Sequence, residues 1–138
     1  MEVAKRIDII TENNIFSLDK KGYAEFLIKR HFPNCIIIIK KMNKLGFSVL
    51  KNGKRTIMLN EKAMELFTFA EWKQLVLHEI AHHLVFPVTG HNQVYVNKAL
   101  ELGVVFENTG IKMRGVPFWK VAVAINYKRS KQNVRKKD

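Results

Sequence analysis

The sequence predicts an α+β fold: a small antiparallel sheet of about three strands, packed on a helix that carries His-Glu-Ile-Ala-His, with further helices flanking it. Three observations predict this. Apolar residues make up 47% of the 138 positions, a globular composition with enough chain for one buried core. Asn52-Gly53 separates two apolar alternating runs, and an Asn-Gly pair supplies the two positive-φ positions that a tight hairpin needs. Thr68-Phe69-Ala70-Glu71 has the form of a capping box ahead of apolar residues at helical period.

In chain order, Val3, Ile7 and Ile10 have helical spacing and predict a first short helix. Tyr23, Phe26 and Leu27 predict a second, with Ser17 as its N-cap and Pro33-Asn34 as its end. Cys35 to Ile39 is a compact β-branched run, which suits a strand buried on both faces. Leu45, Phe47 and Val49 alternate up to the Asn-Gly turn, and Arg55 to Leu59 return as the partner strand. Asn60 can cap a short helix carrying Ala63, Leu66 and Phe67.

The next helix is the best marked. Its capping box satisfies free backbone N–H groups, and Phe67 and Trp72 occupy the two hydrophobic-staple positions. It is expected from about Phe69 to Val85, since Pro87 disfavours helix at Phe86. A further helix follows from about His91 to Leu102 and ends at Gly103. Residues 104–116 suit loop or short strand, and Pro117 suits the first turn of a last helix reaching about Arg129. The expected organisation is one domain, 1–129, with a basic tail, 130–138.

The single cysteine excludes an internal disulfide framework and any zinc ribbon built of cysteine pairs within this chain. Cys35 suits a small buried hydrophobe rather than a nucleophile. The opening residues contain no apolar h-region, and no run is long and apolar enough to span a bilayer, so a cytoplasmic protein without a membrane partner is expected. Lys and Arg number 24 against 12 Asp and Glu, for a net charge of +12. Glu25 and Glu61 enclose eight bases and no acid, and the segment from Lys128 adds six more bases. Such blocks suit a polyanion, nucleic acid first. The candidate contacts are Lys40, Lys41, Lys44, Lys51, Lys54, Arg55, Lys128 and Arg129.

The chemistry concentrates in His78-Glu79-Ile80-Ala81-His82. Two histidines four apart lie on one helical face, so both imidazoles reach one ion. The intervening Glu is placed to accept a proton from water rather than to ligate. Five His and nine Glu in this length give a chance match roughly 0.01 times by composition arithmetic. A catalytic zinc needs a third protein ligand. His91, beyond a Pro/Gly turn, is the first choice, and Glu101 on the following helix is the alternative. Helix geometry rotates His83 about 100° from His82, into a packing role or one supporting the ligands from behind. His31 suits an ordinary helix-end histidine. Tyr95 is either a packing aromatic or, less favoured, an oxyanion donor.

Residues 17–103 resemble the SprT-like family, which includes the Spartan proteases. The resemblance lies in a leading helix and a hairpin ending in Arg55-Thr56-Ile57-Met58-Leu59-Asn60. It continues through Leu77-His78-Glu79-Ile80-Ala81-His82, Gly90-His91, an aromatic at Tyr95 and Leu100-Glu101-Leu102-Gly103. It implies a zincin-like core and a zinc metallopeptidase, associated in this family with DNA-bound protein substrates. It also implies a third zinc ligand at the Gly-His, here His91. The chain departs from many members in having no cysteine-rich ribbon, and no family signature follows Gly103. A compact single domain of this kind suits a bacterial cell or a phage-infected host.

The leading expectation is therefore a zinc-dependent endopeptidase, monomeric, with Zn2+ held by His78, His82 and His91, and Glu79 as the catalytic base. Its substrate is a protein or peptide, with nucleic acid as a further partner through the basic surface. Arg55 to Leu59 is expected to offer its edge to an extended substrate. The alternative is a nucleic-acid-binding module or a phage/host interaction protein whose zinc site is not catalytic.

Overall fold

A computed structural model describes residues 4–88, 90–113 and 116–121. The chain begins with strands where a helix is predicted: β1 (Arg6–Ile10) pairs antiparallel with β2 (Ile15–Asp19), Arg6 opposite Asp19 and Ile10 opposite Ile15. Ile7 and Ile9 face inward while Arg6, Asp8 and Ile10 face out. That period of two wins over the helical spacing of Val3, Ile7 and Ile10, because β-branched residues pack better on a pleated surface. Thr11 closes the turn through its backbone N–H to the Asn14 carbonyl, 2.8 Å. Ser17 is thereby occupied as a cross-strand partner, accepting from Arg6 Nε at 2.8 Å. The helix N-cap falls instead to Asp19, whose carboxylate accepts from the Gly22 N–H at 2.7 Å. Helix α1 (Lys20–His31) then runs up to the break at Pro33, with His31 as its last residue.

The central sheet is mixed, not antiparallel throughout. β3 (Ile36–Lys40), β4 (Gly46–Lys51) and β5 (Lys54–Asn60) stand in the order β3-β5-β4. β4 and β5 form the expected hairpin, with Asn52 and Gly53 both at positive φ, 54° and 76°. β3 pairs parallel with the far side of β5, Ile36 opposite Thr56. As an edge strand it is not buried on both faces, and Ile36 is 41% exposed. Asn60 explains the crossover. Its side-chain amide donates to the Met42 and Lys44 carbonyls, both at 2.9 Å, and its backbone N–H donates to the Leu45 carbonyl. The β3–β4 link is thus pinned across the end of β5. The Asn60 side-chain oxygen also caps α2 (Glu61–Leu66) through the Ala63 N–H.

Helix α3 (Phe69–Leu84) starts on the predicted capping box, with Thr68 and Glu71 bonded reciprocally. Both staple residues, Phe67 and Trp72, are fully buried. They pack with Ile57, Leu59, Leu75 and Ile80 between helix and sheet, each worth about 1.5–3 kcal/mol in area removed from water. Trp72 Nε1 donates to the Lys20 carbonyl at 2.8 Å, tying α3 to α1. Helix α4 (Gln93–Leu102) starts two residues after His91, on an Asn92 cap, and ends on Gly103 at φ 94° as expected. β6 (Phe106–Met113) and β7 (Val116–Val121) pair antiparallel. The helix expected from Pro117 is therefore strand as far as Val121. Val116, Phe118, Trp119 and Val121 have the β-branched and aromatic character of a strand, and Pro117 fits an edge position. The rest of that predicted helix, the tail 130–138, and Lys128 and Arg129 lie outside the described residues. Among the described residues no helix is long and apolar enough to cross a membrane.

Candidate metal centre

Helix α3 holds His78 and His82 one turn apart on the same face, with their Nε2 atoms 3.3 Å apart. The chain then leaves the helix and turns at Gly90, φ 80°, a left-handed conformation that favours glycine. That turn precedes His91, whose Nε2 lies 3.4 Å from that of His78. One ligand atom from each of the three histidines lies within 4.8 Å of the others. Imidazole nitrogens about 2.0–2.1 Å from a tetrahedral ion stand about 3.3–3.4 Å apart along the tetrahedron's edges. Both separations match that edge, so these three residues fit a metal ion. Glu101, the alternative third ligand, is not in the cluster: it is exposed on α4 and pairs with Lys98 at 2.8 Å. The loop after α3 reaches the site first because His91 precedes the helix that carries Glu101 away.

The imidazoles are conditioned for binding a cation. Burial holds His78 well below the ordinary histidine range, with His82 and His91 adding to the effect. Burial, then His91 and His83, bring His82 down to about 4. Burial lowers His91 as well. All three are therefore neutral at pH 7, with lone pairs available to a metal.

Glu79, one residue along the helix, is only 2% exposed. Burial pushes its carboxyl up to about 8, against the lowering effect of Ser48. The Ser48 hydroxyl lies within donor distance of Glu79 Oε1, 3.2 Å, and of the Glu79 carbonyl, 3.0 Å. β4 approaches this carboxylate so closely that a Cβ at Gly46 would come within 2.9 Å of Glu79 Oε2. Sequence reasoning missed both Gly46 and Ser48. A glycine opening a strand does signal close approach, but nothing local marks Ser48. These groups share a cleft of about 590 Å³ with His78, His82 and His91, rimmed by Lys44, Phe47, Phe86 and Val88.

Tyr95 is fully buried behind the histidines and does not line the cleft. Its Oη lies 2.5 Å from His78 Nδ1 and 3.3 Å from the His78 carbonyl. Its ring stacks on His82, centroids 4.3 Å apart at 23°. It is therefore not placed as an oxyanion donor. His83 points to the sheet, with Nε2 3.1 Å from the Thr56 carbonyl, which is the packing role of the two expected for it. Cys35 is a buried free thiol, pushed up in pKa by burial.

The basic residues divide. Lys40, Lys41, Lys44, Lys51 and Lys54 are exposed, with Lys51 opposite Lys54 at the hairpin end. Arg55 is engaged inside the fold: it donates to the His83 carbonyl at 3.1 Å and lies 4.3 Å over the Phe32 ring. The strand it lies on, β5, is paired on both sides, so its edge is closed to a substrate. β4 instead has one edge with no strand partner among the described residues.

No curated protein and no solved structure matches the chain. The family model of the SprT-like family matches residues 20–115. That span runs from the first residue of α1, through the three clustered histidines and Glu79, and past β6, and the chain belongs to the SprT-like family.

Proposed function

We propose that this chain is a zinc-dependent endopeptidase with a zincin-like core. One observation carries the reading: three imidazoles converge at metal-ligand spacing beside the buried Glu79, in a cleft lined by β4, one edge of which has no strand partner among the described residues. Family membership supports it. His78, His82 and His91 would hold the ion, which supplies Lewis acidity toward a scissile carbonyl and toward water. Glu79 takes the proton of the attacking water and passes it to the leaving amine. Burial raises this carboxyl's proton affinity, and the positive charge of a bound ion would draw it back toward the ionised form that accepts a proton. Ser48 orients the carboxylate, and the bare Cα of Gly46 leaves room for it. An extended peptide adds to the free edge of β4, which lies along the cleft.

Nucleic acid as a second partner rests on charge. Lys40, Lys41, Lys44, Lys51 and Lys54 are exposed, none takes part in an ion pair among the described residues, and Lys44 stands on the cleft rim. Protein substrates bound to nucleic acid would be held near the cleft by such a surface.

The test combines metal analysis with cleavage of casein and self-cleavage, with and without single-stranded DNA. The wild type is expected to carry about one zinc per chain and to cleave. Glu79→Gln is expected to keep its zinc and lose about 10²- to 10⁴-fold in rate. Equal rates in the two proteins would remove Glu79 from the mechanism.

A further inference from the structure

We infer that Tyr95 is a positioning residue for the metal centre: its hydroxyl holds His78 in the tautomer that presents the Nε2 lone pair to an ion. The inference rests on the metal-centre reading and extends it to a residue that touches neither ion nor substrate.

A neutral imidazole carries one N–H, and the hydrogen bond at one nitrogen decides the state of the other. Tyr95 Oη, 2.5 Å from His78 Nδ1, has two ways to use its proton. If the phenol donates to Nδ1, the His78 proton sits on Nε2 and points where the ion belongs. If Nδ1–H donates to Oη, the phenol proton turns to the His78 carbonyl, 3.3 Å away. Between Tyr95 and His78, the second arrangement makes two hydrogen bonds where the first makes one. It also leaves the His78 Nε2 lone pair facing the Nε2 atoms of His82 and His91, at 3.3 and 3.4 Å.

The same residue reaches the other two ligands. Its ring stacks on His82 and lies 4.9 Å from His91. Its backbone N–H donates to the Asn92 cap at 3.1 Å, one residue beyond His91. The start of α4 therefore sets His91 and Tyr95 as one unit against α3.

Tyr95→Phe removes the hydroxyl and keeps the ring, which separates positioning from packing. Zn2+ and Co2+ affinities of the full-length chains are measured by competition with a chromogenic chelator, alongside far-UV circular dichroism. The expected result is about 10- to 100-fold weaker binding by the folded variant, the range for losing a ligand's hydrogen-bond partner. Equal affinity in a folded variant overturns the inference and leaves the metal-centre reading standing. A wild type that binds neither ion overturns both. Should the variant misfold, nitrogen-15 histidine spectra of the metal-free wild type decide: His78 protonated at Nδ1 supports the inference, and protonation at Nε2 overturns it.

Discussion

His82 and His83 are neighbours in sequence and face opposite regions of the molecule. His82 turns to the cleft, 3.3 Å from His78, with its pKa lowered to about 4 by burial and by other imidazoles. His83 turns to the sheet, where the Thr56 carbonyl, Arg55 and the edge of Phe32 surround it. One residue type thus serves two purposes, separated by the rotation of about 100° between helical neighbours. The side that gathers like groups builds a site, and the side that satisfies each polar group builds the core.

The sharpest way to break this comparison is to exchange the fates of the two residues. His82→Ala should lose metal retention to below detection while the metal-free fold survives. His83→Ala should keep its metal but leave buried polar groups without a partner, at a cost of about 1–3 kcal/mol. Metal analysis and thermal unfolding of both variants check the pair. If His83→Ala loses metal and stays stable, the two regions are wrongly divided.

Next in size is Gly46→Ala. Its added Cβ meets Glu79 Oε2 at 2.9 Å, so the carboxylate must shift. Misplacement on the ångström scale can cost about 100-fold in rate, while metal content should stay at the wild-type level. An unchanged kcat would place the reacting carboxylate elsewhere.

The pH dependence of the metal-free protein sharpens the comparison further. His82, held at about 4 against an ordinary 6.5, with His78 and His91 also lowered, binds protons more readily when unfolded. Their contribution to stability is full above 6.5 and is lost as pH falls toward 4. Glu79, raised from 4.5 to about 8, binds its proton more readily when folded, so its contribution is lost as pH rises toward 8. Three groups outweigh one on the acid side. Thermal stability of the metal-free chain should therefore peak near pH 6.5, and Glu79→Gln should flatten the alkaline limb between 6.5 and 8. A wild-type profile that keeps rising through that window would contradict the burial of Glu79.

The smallest effect concerns the hairpin end, far from both histidines in character. Replacing Lys51 and Lys54 with Ala should weaken nucleic-acid binding by a similar factor for every sequence. It should also flatten the salt dependence by about two phosphate contacts. Gel shifts at two salt concentrations measure it, and the absence of any shift at low salt would leave these lysines as solubilising groups.

Much of the candidate site was legible because its rules are local. The capping box of Thr68 and Glu71, the pairing of His78 with His82 and the positive φ of Asn52 and Gly53 all follow from neighbours a few residues apart. His91 was legible as a possibility, and so was Glu101; only the path of the chain through Gly90 brings the first inward and leaves the second on the outer side of α4. The hairpin at β1 and β2 was misread because Ile7 and Ile10 satisfy a helical spacing while Ile7 and Ile9 satisfy a strand's. A window that short does not separate the two periods. Pro117 misled for a related reason, since a proline suits both a helix's first turn and a strand at an edge.

By itself the sequence determined which residues share a helical face, where α3 begins and where α4 ends, and that the chain carries a large positive charge. Tertiary structure alone decided that β5 lies inside β3 and β4, which closes the edge the sequence pointed to and leaves one β4 edge without a strand partner among the described residues. It also decided that Ser48 and Gly46 close on Glu79 and that a phenol stands behind His78. These are contacts between residues 17 to 33 positions apart in the chain. Helical and strand periods repeat within a few residues, so they carry no information about partners at that distance.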